Sequence, residues 1–555
     1  MTNNKPWIAS YPPGIPAEID VNTYASVVEL FNESTSRFAE RPAFSNLGKT
    51  ISYAELDAQS QAFAAWCHQA GLEKGDRIAI MMPNLLQYPV AVFGALRAGL
   101  VVVNTNPLYT ERELEHQLTD SGAKAIVVVE AFAHTLAEVI AKTDVEIVIT
   151  TRFGDMLGFP KSLLVNFVLK YVKKMVPPFN LPGSHTFKNV LAQGAALPAP
   201  KVELGHDDIA FLQYTGGTTG VAKGAMLTHR NMVANIVQAW TWISAIELEE
   251  GQETIITALP LYHIFALTAN CLTFMKLGAM NVLITNPRDM PGFVKELSKV
   301  RFTAFTGVNT LFNGLMNTEG FKDLDFSGLK LTLGGGMAVQ KVVADRWQEI
   351  TGNTLIEAYG LTETSPAACM NPMTLTAYND SIGLPISSTE GSIRDLDNKV
   401  VPLGETGELC IRGPQVMKGY WQRPDATADT IDSEGWLHTG DIAIMNEKGY
   451  FKIVDRLKDM ILVSGFNVYP NEVEGVIAAM PGVLEVGAIG VPDEHSGEIV
   501  KVVIVKKDPS LTKEQVLAHC KEDLTGYKRP KIVQFVDELP KTNVGKILRR
   551  ELREL

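Results

Sequence analysis

Residues 209–224 read Ile209-Ala210-Phe211-Leu212-Gln213-Tyr214-Thr215-Gly216-Gly217-Thr218-Thr219-Gly220-Val221-Ala222-Lys223-Gly224. The first four residues are an apolar run typical of a buried strand, and a loop rich in glycine and threonine follows. Glycine lets backbone N–H groups turn toward a phosphate, threonine hydroxyls add hydrogen-bond donors, and Lys223 supplies positive charge. The composition therefore predicts a phosphate-binding loop after a strand.

The same stretch departs from two familiar nucleotide-binding patterns. Its lysine follows Ala222 and precedes Gly224, whereas a P-loop requires Gly-Lys-Ser/Thr, and the glycine spacing does not fit the dinucleotide fingerprint either. An ordinary glycine/threonine turn is the alternative interpretation.

Other short apolar runs alternate with helix-like stretches on both sides of this loop. They are Arg77–Ile80, Val101–Val103, Ala125–Val129, Ile147–Ile149, Ile255–Thr257 and Val282–Ile284. Strands that are apolar on both faces and alternate with helices predict a mostly parallel sheet covered on both sides. One intervening helix should begin at Thr110, because Thr110 and Glu113 have the spacing of a capping box. The predicted fold class is α/β.

The pattern changes toward the C-terminus. From about Ser388 short strands are separated by glycine and proline, which predicts an antiparallel or barrel-like piece. After Asp455 and Arg456 come a strand at 460–463, two helical stretches and a strand at 502–506. We therefore expect a large N-terminal domain of residues 1–455 and a small α+β domain of residues 456–555.

Composition narrows the function classes. The 555 residues suit one large domain or two to three ordinary ones, and 46% apolar with 20% charged residues is typical of globular proteins. A net charge of −12 argues against a general nucleic-acid partner. The five cysteines lack CxxC spacing, which favours reduced thiols over a disulfide framework or a zinc site. With no signal-peptide pattern at the N-terminus, we expect a cytoplasmic protein.

One segment is chemically unlike its surroundings. No acidic residue lies between Asp155 and Glu203, and apolar residues from Leu163 to Met175 recur at helical spacing beside Lys161, Lys170, Lys173 and Lys174. A basic amphipathic helix of this kind predicts peripheral contact with the cytoplasmic, inner membrane surface. The alternative is a surface helix packed on the domain, with its lysines in solvent.

Further characteristic segments follow the loop in a fixed order. They are Leu259-Pro260-Leu261-Tyr262-His263, Gly334-Gly335-Gly336, Tyr359-Gly360-Leu361-Thr362-Glu363, Gly435-Trp436-Leu437-His438-Thr439-Gly440-Asp441, Asp455-Arg456-Leu457-Lys458-Asp459 and Pro540-Lys541-Thr542-Asn543-Val544-Gly545-Lys546. Together with the loop they make the chain resemble the adenylate-forming superfamily, which includes acyl-CoA synthetases, luciferases and peptide-synthetase adenylation domains. The resemblance is closest to bacterial long-chain fatty-acyl-CoA synthetases.

This resemblance implies a two-step reaction. ATP would convert a fatty acid to fatty acyl-AMP with release of pyrophosphate, and coenzyme A would then displace AMP to give fatty acyl-CoA. Mg²⁺ is the implied metal, and Glu363 is its implied ligand, in keeping with the preference of Mg²⁺ for carboxylate oxygen. The implied partners are thus a fatty acid and CoA, and a homodimer is left open.

The resemblance also assigns roles by position. Asp441 should bind the ribose with Arg456 close by, and Gly334, Gly335, Gly336 and Tyr359 should border the adenine. The implied nucleotide site also includes Gly360 and Thr362, together with Tyr214, Thr215, Gly216, Gly217, Thr218, Thr219, Gly220 and Lys223 of the loop. His263 should lie near the phosphates and the acyl carboxylate.

Three C-terminal residues would connect the two steps. Lys546 corresponds to the mobile catalytic lysine that stabilises charge during adenylation, and Lys458 to the hinge. Gly465 would border the channel for the CoA thiol once the small domain has turned.

Two alternatives remain at this point. One is an adenylating enzyme for another acid or for a carrier-protein thiol. The other is a catalytically silent acyl- or nucleotide-binding sensor, which the joint presence of Glu363 and Lys546 disfavours.

Overall fold

The computed structural model describes residues 5–215, 221–395, 397–493 and 495–555. Its strands, in chain order, are β1 Pro42–Asn46, β2 Lys49–Ser52, β3 Arg77–Met81, β4 Val101–Thr105, β5 Ala125–Val129, β6 Ile147–Thr151, β7 His185–Thr186, β8 Ile209–Thr215, β9 Lys223–Thr228, β10 Thr254–Thr257, β11 Met280–Leu283, β12 Ala304–Gly307, β13 Leu331–Gly334, β14 Leu355–Gly360, β15 Ala367–Met370, β16 Leu384–Pro385, β17 Glu390–Arg394, β18 Gly407–Arg412, β19 Leu437–Met445, β20 Phe451–Arg456, β21 Ile461–Val463, β22 Phe466–Val468, β23 Val483–Asp493, β24 Gly497–Lys506 and β25 Ile532–Val536.

The α-helices of the described residues are α1 Val27–Arg37, α2 Tyr53–Gln69, α3 Gln87–Arg97, α4 Glu111–Ser121, α5 Ala133–Val139, α6 Lys161–Phe167, α7 Phe187–Gly194, α8 His229–Ile243, α9 Phe274–Lys276, α10 Met290–Leu297, α11 Asn309–Met316, α12 Lys341–Thr351, α13 Pro424–Thr430, α14 Pro470–Ala478, α15 Lys513–Asp523 and α16 Arg549–Leu552.

Two large sheets form the first part of the molecule. A seven-stranded sheet has the order β7-β6-β5-β3-β4-β8-β9, and every neighbouring pair in it is parallel except β8 with β9. A nine-stranded sheet, ordered β16-β15-β14-β13-β12-β10-β11-β1-β2, is parallel from β14 to β1. All five residues of β4 and of β5 are buried, as strands covered on both faces require. The predicted α/β class is confirmed.

Local sequence signals set element ends as expected. The Thr110 side chain accepts a hydrogen bond from the Glu113 backbone, and the Glu113 side chain accepts one from the Thr110 backbone. The same helix ends at Gly122, whose φ of 59° is a left-handed conformation that glycine adopts at little cost. The predicted capping box is therefore confirmed.

The remaining sheets lie in the second part of the chain. Strands β17 to β20 form an antiparallel sheet in that order. Of the two predicted possibilities, an antiparallel sheet or a barrel, the structure has the antiparallel sheet. In the described ranges its two outer strands, β17 and β20, are not paired with each other, so the sheet is open. The last sheet starts at Ile461, with the order β22-β21-β24-β23 and β25 beside β24. Its longest strand, β23, was not predicted, because Gly487, Gly490 and Pro492 interrupt its apolar run.

The acid-free segment forms α6, which continues as a π-helical turn from Val168 to Val172. Its apolar side chains point to solvent: Leu163 and Leu164 are each 64% exposed, and Phe167 is 56% exposed. The packed-helix alternative therefore does not describe this surface. In the part of the chain that the structure describes, no helix combines the length and the apolar character needed to cross a bilayer.

Candidate active site

Strand ends bring the predicted nucleotide residues together. Strand β13 ends at Gly334 beside β14, which carries Tyr359 and Gly360 at its own end. In the antiparallel sheet, Asp441 on β19 lies directly opposite Arg456 on β20. The two sheets thus converge on one cleft, because the Tyr359 hydroxyl donates a 2.6 Å hydrogen bond to the Asp441 carboxylate.

Asp441 is held by one cationic side chain and two hydroxyl groups. Besides Tyr359, it has the Arg456 guanidinium at 3.4 Å, and its backbone N–H donates to the Thr439 hydroxyl at 3.1 Å. Burial raises the pKa of Asp441, while Arg456 and the Tyr359 hydrogen bond act against that rise. The result is a fixed carboxylate able to accept hydrogen bonds from vicinal hydroxyls such as those of a ribose.

The glycine run after β13 leaves space close to the backbone. A methyl group on Gly335 would lie 3.0 Å from the carbonyl oxygen of Ala358, and one on Gly336 would lie 3.3 Å from Cε of Lys546. Gly336 also has a φ of +78°, which favours glycine. Glycine at these two positions therefore avoids crowding the Ala358 backbone and the Lys546 side chain.

Glu363 follows β14 in a short helical turn that begins at Thr362. Its carboxylate accepts a 2.7 Å hydrogen bond from the Tyr420 hydroxyl, and the Lys223 ammonium lies 5.0 Å from the centre of the Tyr420 ring. Tyr420 therefore joins the predicted metal ligand to the lysine of the phosphate loop. The sequence did not predict a role for Tyr420, since this residue lies outside the characteristic segments.

The described part of the phosphate loop is its two ends. Thr215 closes β8 and pairs with Lys223 on β9, whereas Gly216, Gly217, Thr218, Thr219 and Gly220 lie outside the described residues. The Tyr214 hydroxyl donates to Asp120 at 2.7 Å, so this tyrosine anchors the end of β8.

The segment that leads to His263 is held by Asn84, which lies between β3 and α3. The Asn84 amide donates to the carbonyl oxygens of Thr257 and Leu259 at 3.0 Å and accepts from the Leu261 N–H at 2.8 Å. Nδ1 of His263 accepts from the Phe265 N–H at 3.3 Å, which places the ring proton on Nε2. Burial, followed by the nearby Lys546 charge, lowers the pKa of His263 to about 3, so the ring is a neutral hydrogen-bond donor.

Lys546 reaches into the same cleft from the C-terminal sheet's connecting loop. Its backbone N–H donates to the Thr542 hydroxyl at 3.1 Å, and the carbonyl of the preceding Gly545 accepts from Thr310 on α11 at 2.9 Å. Desolvation, with help from the Arg456 charge, lowers the pKa of Lys546 to about 8, against the attraction of Asp441 and Glu363. The structure thus brings Lys546, Asp441, Glu363 and His263 to one site.

Lys458 and Gly465 are placed differently. Lys458 lies in the turn after β20, where the neighbouring Leu457 N–H donates to the Gly440 carbonyl at 3.0 Å. Gly465 lies in the exposed turn between β21 and β22, and a methyl group there would meet no atom within 4 Å. In this orientation of the C-terminal sheet, Lys546 occupies the cleft and Gly465 does not.

Two further supporting residues were missed by sequence reasoning. Glu408 accepts from the Gly440 N–H at 2.9 Å and contacts Nδ1 of His438 at 2.8 Å, so it holds the turn before Asp441. Cys410 completes a compact His/Cys/Glu group with them, and burial raises the pKa of its thiol to about 12.

The other is Arg549, three residues after Lys546. Its guanidinium pairs with Asp455 at 3.0 Å and with Glu474 at 2.9 Å. It connects β20 with α14 of the C-terminal region.

The chain belongs to the AMP-binding enzyme family. Residues 31–421 match the family model described as AMP-binding enzyme, and residues 472–546 match the one described as AMP-binding enzyme C-terminal domain. This confirms the resemblance to the adenylate-forming superfamily.

Two relatives and one solved structure show how similar the chain is to individual proteins. A long-chain-fatty-acid–CoA ligase of Escherichia coli O6:H1 is 60% identical over 99% of this chain and 98% of its own length. One from Haemophilus influenzae is 54% identical over 99% and 98%. Among solved structures, ATP-bound MatB from Rhodopseudomonas palustris is 28% identical with a TM-score of 0.82, covering 95% of this chain and 98% of its own.

Proposed function

We propose that this protein is an ATP-dependent long-chain fatty acid:CoA ligase that works through a fatty acyl-AMP intermediate. The observation that carries the proposal is the position of Lys546, whose ammonium shares one cleft with Asp441, Glu363 and His263. Full-length similarity to ligases of that name supports the same activity.

The first step needs positive charge and backbone donors. A carboxylate is a poor electrophile, and its attack on the α-phosphate brings two anions together. Lys546 would stabilise the charge that develops between them, and the neutral His263 would donate a hydrogen bond from Nε2. Asp441 would hold the ribose, so that the α-phosphate faces Lys546. Pyrophosphate leaves, and the acyl group is now a mixed anhydride with AMP.

A Mg²⁺ ion fits the chemistry of the donor set. Glu363 offers carboxylate oxygen beside Lys223, in the cleft where ATP phosphates would lie. Bound there, the ion would neutralise charge on the phosphate oxygens. The Tyr420 hydroxyl would orient Glu363 for that role, since it donates a hydrogen bond to Oε1 of the carboxylate.

The second step requires a different orientation of the C-terminal region. Thiol attack on the acyl carbon needs the space that Lys546 fills, and Gly465 is exposed on the surface in the present orientation. We place the domain boundary at residues 455 and 456 and the hinge at Lys458. Rotation there would withdraw Lys546 and bring Gly465 to the acyl-adenylate, admitting the CoA thiol.

The exposed residues of α6 and its neighbours support a location for the reaction at a membrane surface. The exposed apolar side chains of α6 beside four lysines support peripheral binding to an anionic membrane from the cytoplasmic side, where fatty acids concentrate. Light scattering of the purified protein tests the homodimer that the sequence left open.

The proposal is tested by thioester formation across acids from acetate to oleate, with free CoA and with a carrier protein as acceptors. Each buried methylene contributes roughly 0.8 kcal/mol of transfer free energy, so kcat/KM should rise steeply with chain length. Equal or higher kcat/KM for butyrate than for palmitate, with monomeric substrate, contradicts the long-chain assignment. Preference for the carrier protein contradicts the CoA assignment.

A further inference from the structure

A cavity of about 500 Å³ lies beneath α6, outside the nucleotide site. Its floor is formed where β5 ends at Val129 and where Arg152 follows β6, and its cover is α6 with the π-helical turn. The carboxyl ends of parallel strands are the usual place for ligands in such sheets. The volume is within the range of roughly 300–1,000 Å³ typical of small-molecule sites.

The lining is apolar apart from a few polar groups near the opening. Its apolar members include Val129, Ala131, Phe153, Leu164, Leu169 and Val176. The charged members are Arg152, Lys170 and Glu130. Glu130 is already paired, because its carboxylate accepts from Nε of Arg152 at 2.7 Å. A long apolar chain with one anionic end fits this distribution.

The cations at the opening are available to such an end. Nε of Arg152 is used by Glu130, while its two terminal nitrogens make no hydrogen bond to any residue that the structure describes. Lys170 is exposed, and the next acidic residues along the chain are Asp155 and Glu203. The two terminal nitrogens of the guanidinium can donate a pair of hydrogen bonds to a carboxylate.

The cavity is separate from the nucleotide site on the same sheet. Strand β5 is divided from β8, which leads into the phosphate loop, by β3 and β4. At about 4.8 Å per strand, that separation is roughly 14 Å. None of the residues assigned to the reaction lines the cavity.

We propose that this cavity is a second acyl-chain site, which binds one long-chain fatty acid in addition to the one being activated. The chain lies against Leu164 and Phe153, and the carboxylate faces Arg152 and Lys170. A single-chain fatty acid is favoured over a diacyl lipid because one cavity of this size admits one chain. The exposed residues of α6 around the opening would let that chain enter from a membrane or from solution.

The test uses full-length protein whose active site is filled with a non-hydrolysable acyl-adenylate analogue. Calorimetry first establishes that one equivalent of analogue binds, which checks the proposed function by itself. Binding of labelled palmitate below its critical micelle concentration is then measured on the filled protein. We expect one further equivalent of palmitate, and a dissociation constant that falls about fourfold per added methylene between decanoate and palmitate.

Two variants separate the cavity from the surface around it. Leu164→Trp fills the opening, while Val172→Trp adds the same side chain to an exposed position on the following turn that does not line the cavity. Leu164→Trp should weaken palmitate binding at least tenfold and Val172→Trp should leave it unchanged. Hexadecanol should bind about tenfold more weakly than palmitate, since it lacks the carboxylate.

Three results would overturn the inference. They are no palmitate binding to the filled protein, equal weakening by both tryptophan variants, and binding of hexadecanol or a diacyl phospholipid as tight as that of palmitate. If the analogue binds and palmitate does not, the second site is wrong while the proposed function stands.

Discussion

A carboxylate and an ammonium share the candidate nucleotide site, and burial favours the uncharged form of each. Burial raises the pKa of Asp441, and Arg456 and the hydrogen bond from Tyr359 oppose that rise. Lys546 loses solvent in the cleft and lies near Arg456, so its pKa is lowered to about 8. The lysine is therefore only partly charged slightly above neutral pH, and the charge that the proposed adenylation step requires depends on pH.

The first prediction concerns that charge. A lysine with a lowered pKa keeps its proton below that pKa and loses it above, so kcat/KM for ATP in pyrophosphate exchange should fall as pH rises through about 8. Lys546→Arg should be slower at neutral pH but lack this basic decline, because arginine stays protonated. Lys541→Arg, on the same loop and paired with Glu485, should retain the wild-type profile. An identical basic limb in Lys546→Arg would assign the titration to another group.

At this scale the sequence predicted identities but not contacts. Glu363, Asp441, Arg456 and Lys546 follow from motif position, and the structure brings them together. The role of Tyr420 could not be predicted, because it lies 57 residues from Glu363 and no sequence pattern indicates the hydrogen bond between them. Such contacts are properties of the folded chain.

Among elements, α6 is unusual because its apolar residues face solvent. The exposed large apolar residues include Leu163, Leu164 and Phe167 of α6, and Tyr171, Val172 and Met175 of the segment that follows it. Exposed apolar surface of this extent marks an interaction site more often than an accident of packing. The adjacent lysines, with no acidic residue nearby in sequence, favour an anionic surface as the partner.

The second prediction tests that membrane contact. Each lysine near an anionic bilayer contributes about 1 kcal/mol, so replacing Lys170, Lys173 and Lys174 by Glu should strongly reduce co-sedimentation with anionic liposomes at low salt. Raising the salt concentration should also weaken binding of the unmodified protein. A control with the same charge change, Lys322, Lys513 and Lys521 to Glu, alters exposed lysines elsewhere and should bind normally. Unchanged co-sedimentation of the first variant at low salt would exclude an interfacial role for this helix.

The sequence predicted strands best where both faces of the strand are buried. β3 to β6 were predicted because strands covered on both faces are continuous apolar runs. β23 was missed, since its stability comes from a long antiparallel pairing with β24 rather than from an uninterrupted apolar run. Whether the amphipathic segment packs inward or faces solvent was not decided by its periodicity, which is the same in both cases.

For the whole molecule, the proposed mechanism makes the position of the C-terminal sheet relative to the large sheets decide which step can occur. Thr310 and Asn313 on α11 donate to the carbonyls of Gly545 and Leu484, at 2.9 Å each. Arg549 adds an ion pair with Asp455. These contacts hold Lys546 in the cleft, which is the arrangement suited to adenylation. No sequence pattern could specify this orientation, because its contacts join residues that are far apart along the chain.

The third prediction concerns the arrangement for thiol transfer. Gly465→Leu should preserve adenylation, measured as exchange of labelled pyrophosphate into ATP, and block thioester formation, because the added bulk would fill the thiol channel. Gly404→Leu is a matched control, since both glycines are exposed, have a φ of +83° and would meet no atom within 4 Å. Equal loss of both half-reactions in Gly465→Leu would show that the residue does not act at the thiol channel alone.

The most direct test of the account is to measure both half-reactions of Lys546→Ala. If Lys546 stabilises the charge that develops when the carboxylate attacks the α-phosphate, pyrophosphate exchange should fall by roughly 10²- to 10³-fold. Thioester formation from supplied acyl-adenylate and CoA should continue at a rate close to that of the unmodified protein, because the lysine has left the cleft by then. Near-normal pyrophosphate exchange in Lys546→Ala, or equal loss of both half-reactions, would contradict the proposed role of the C-terminal domain.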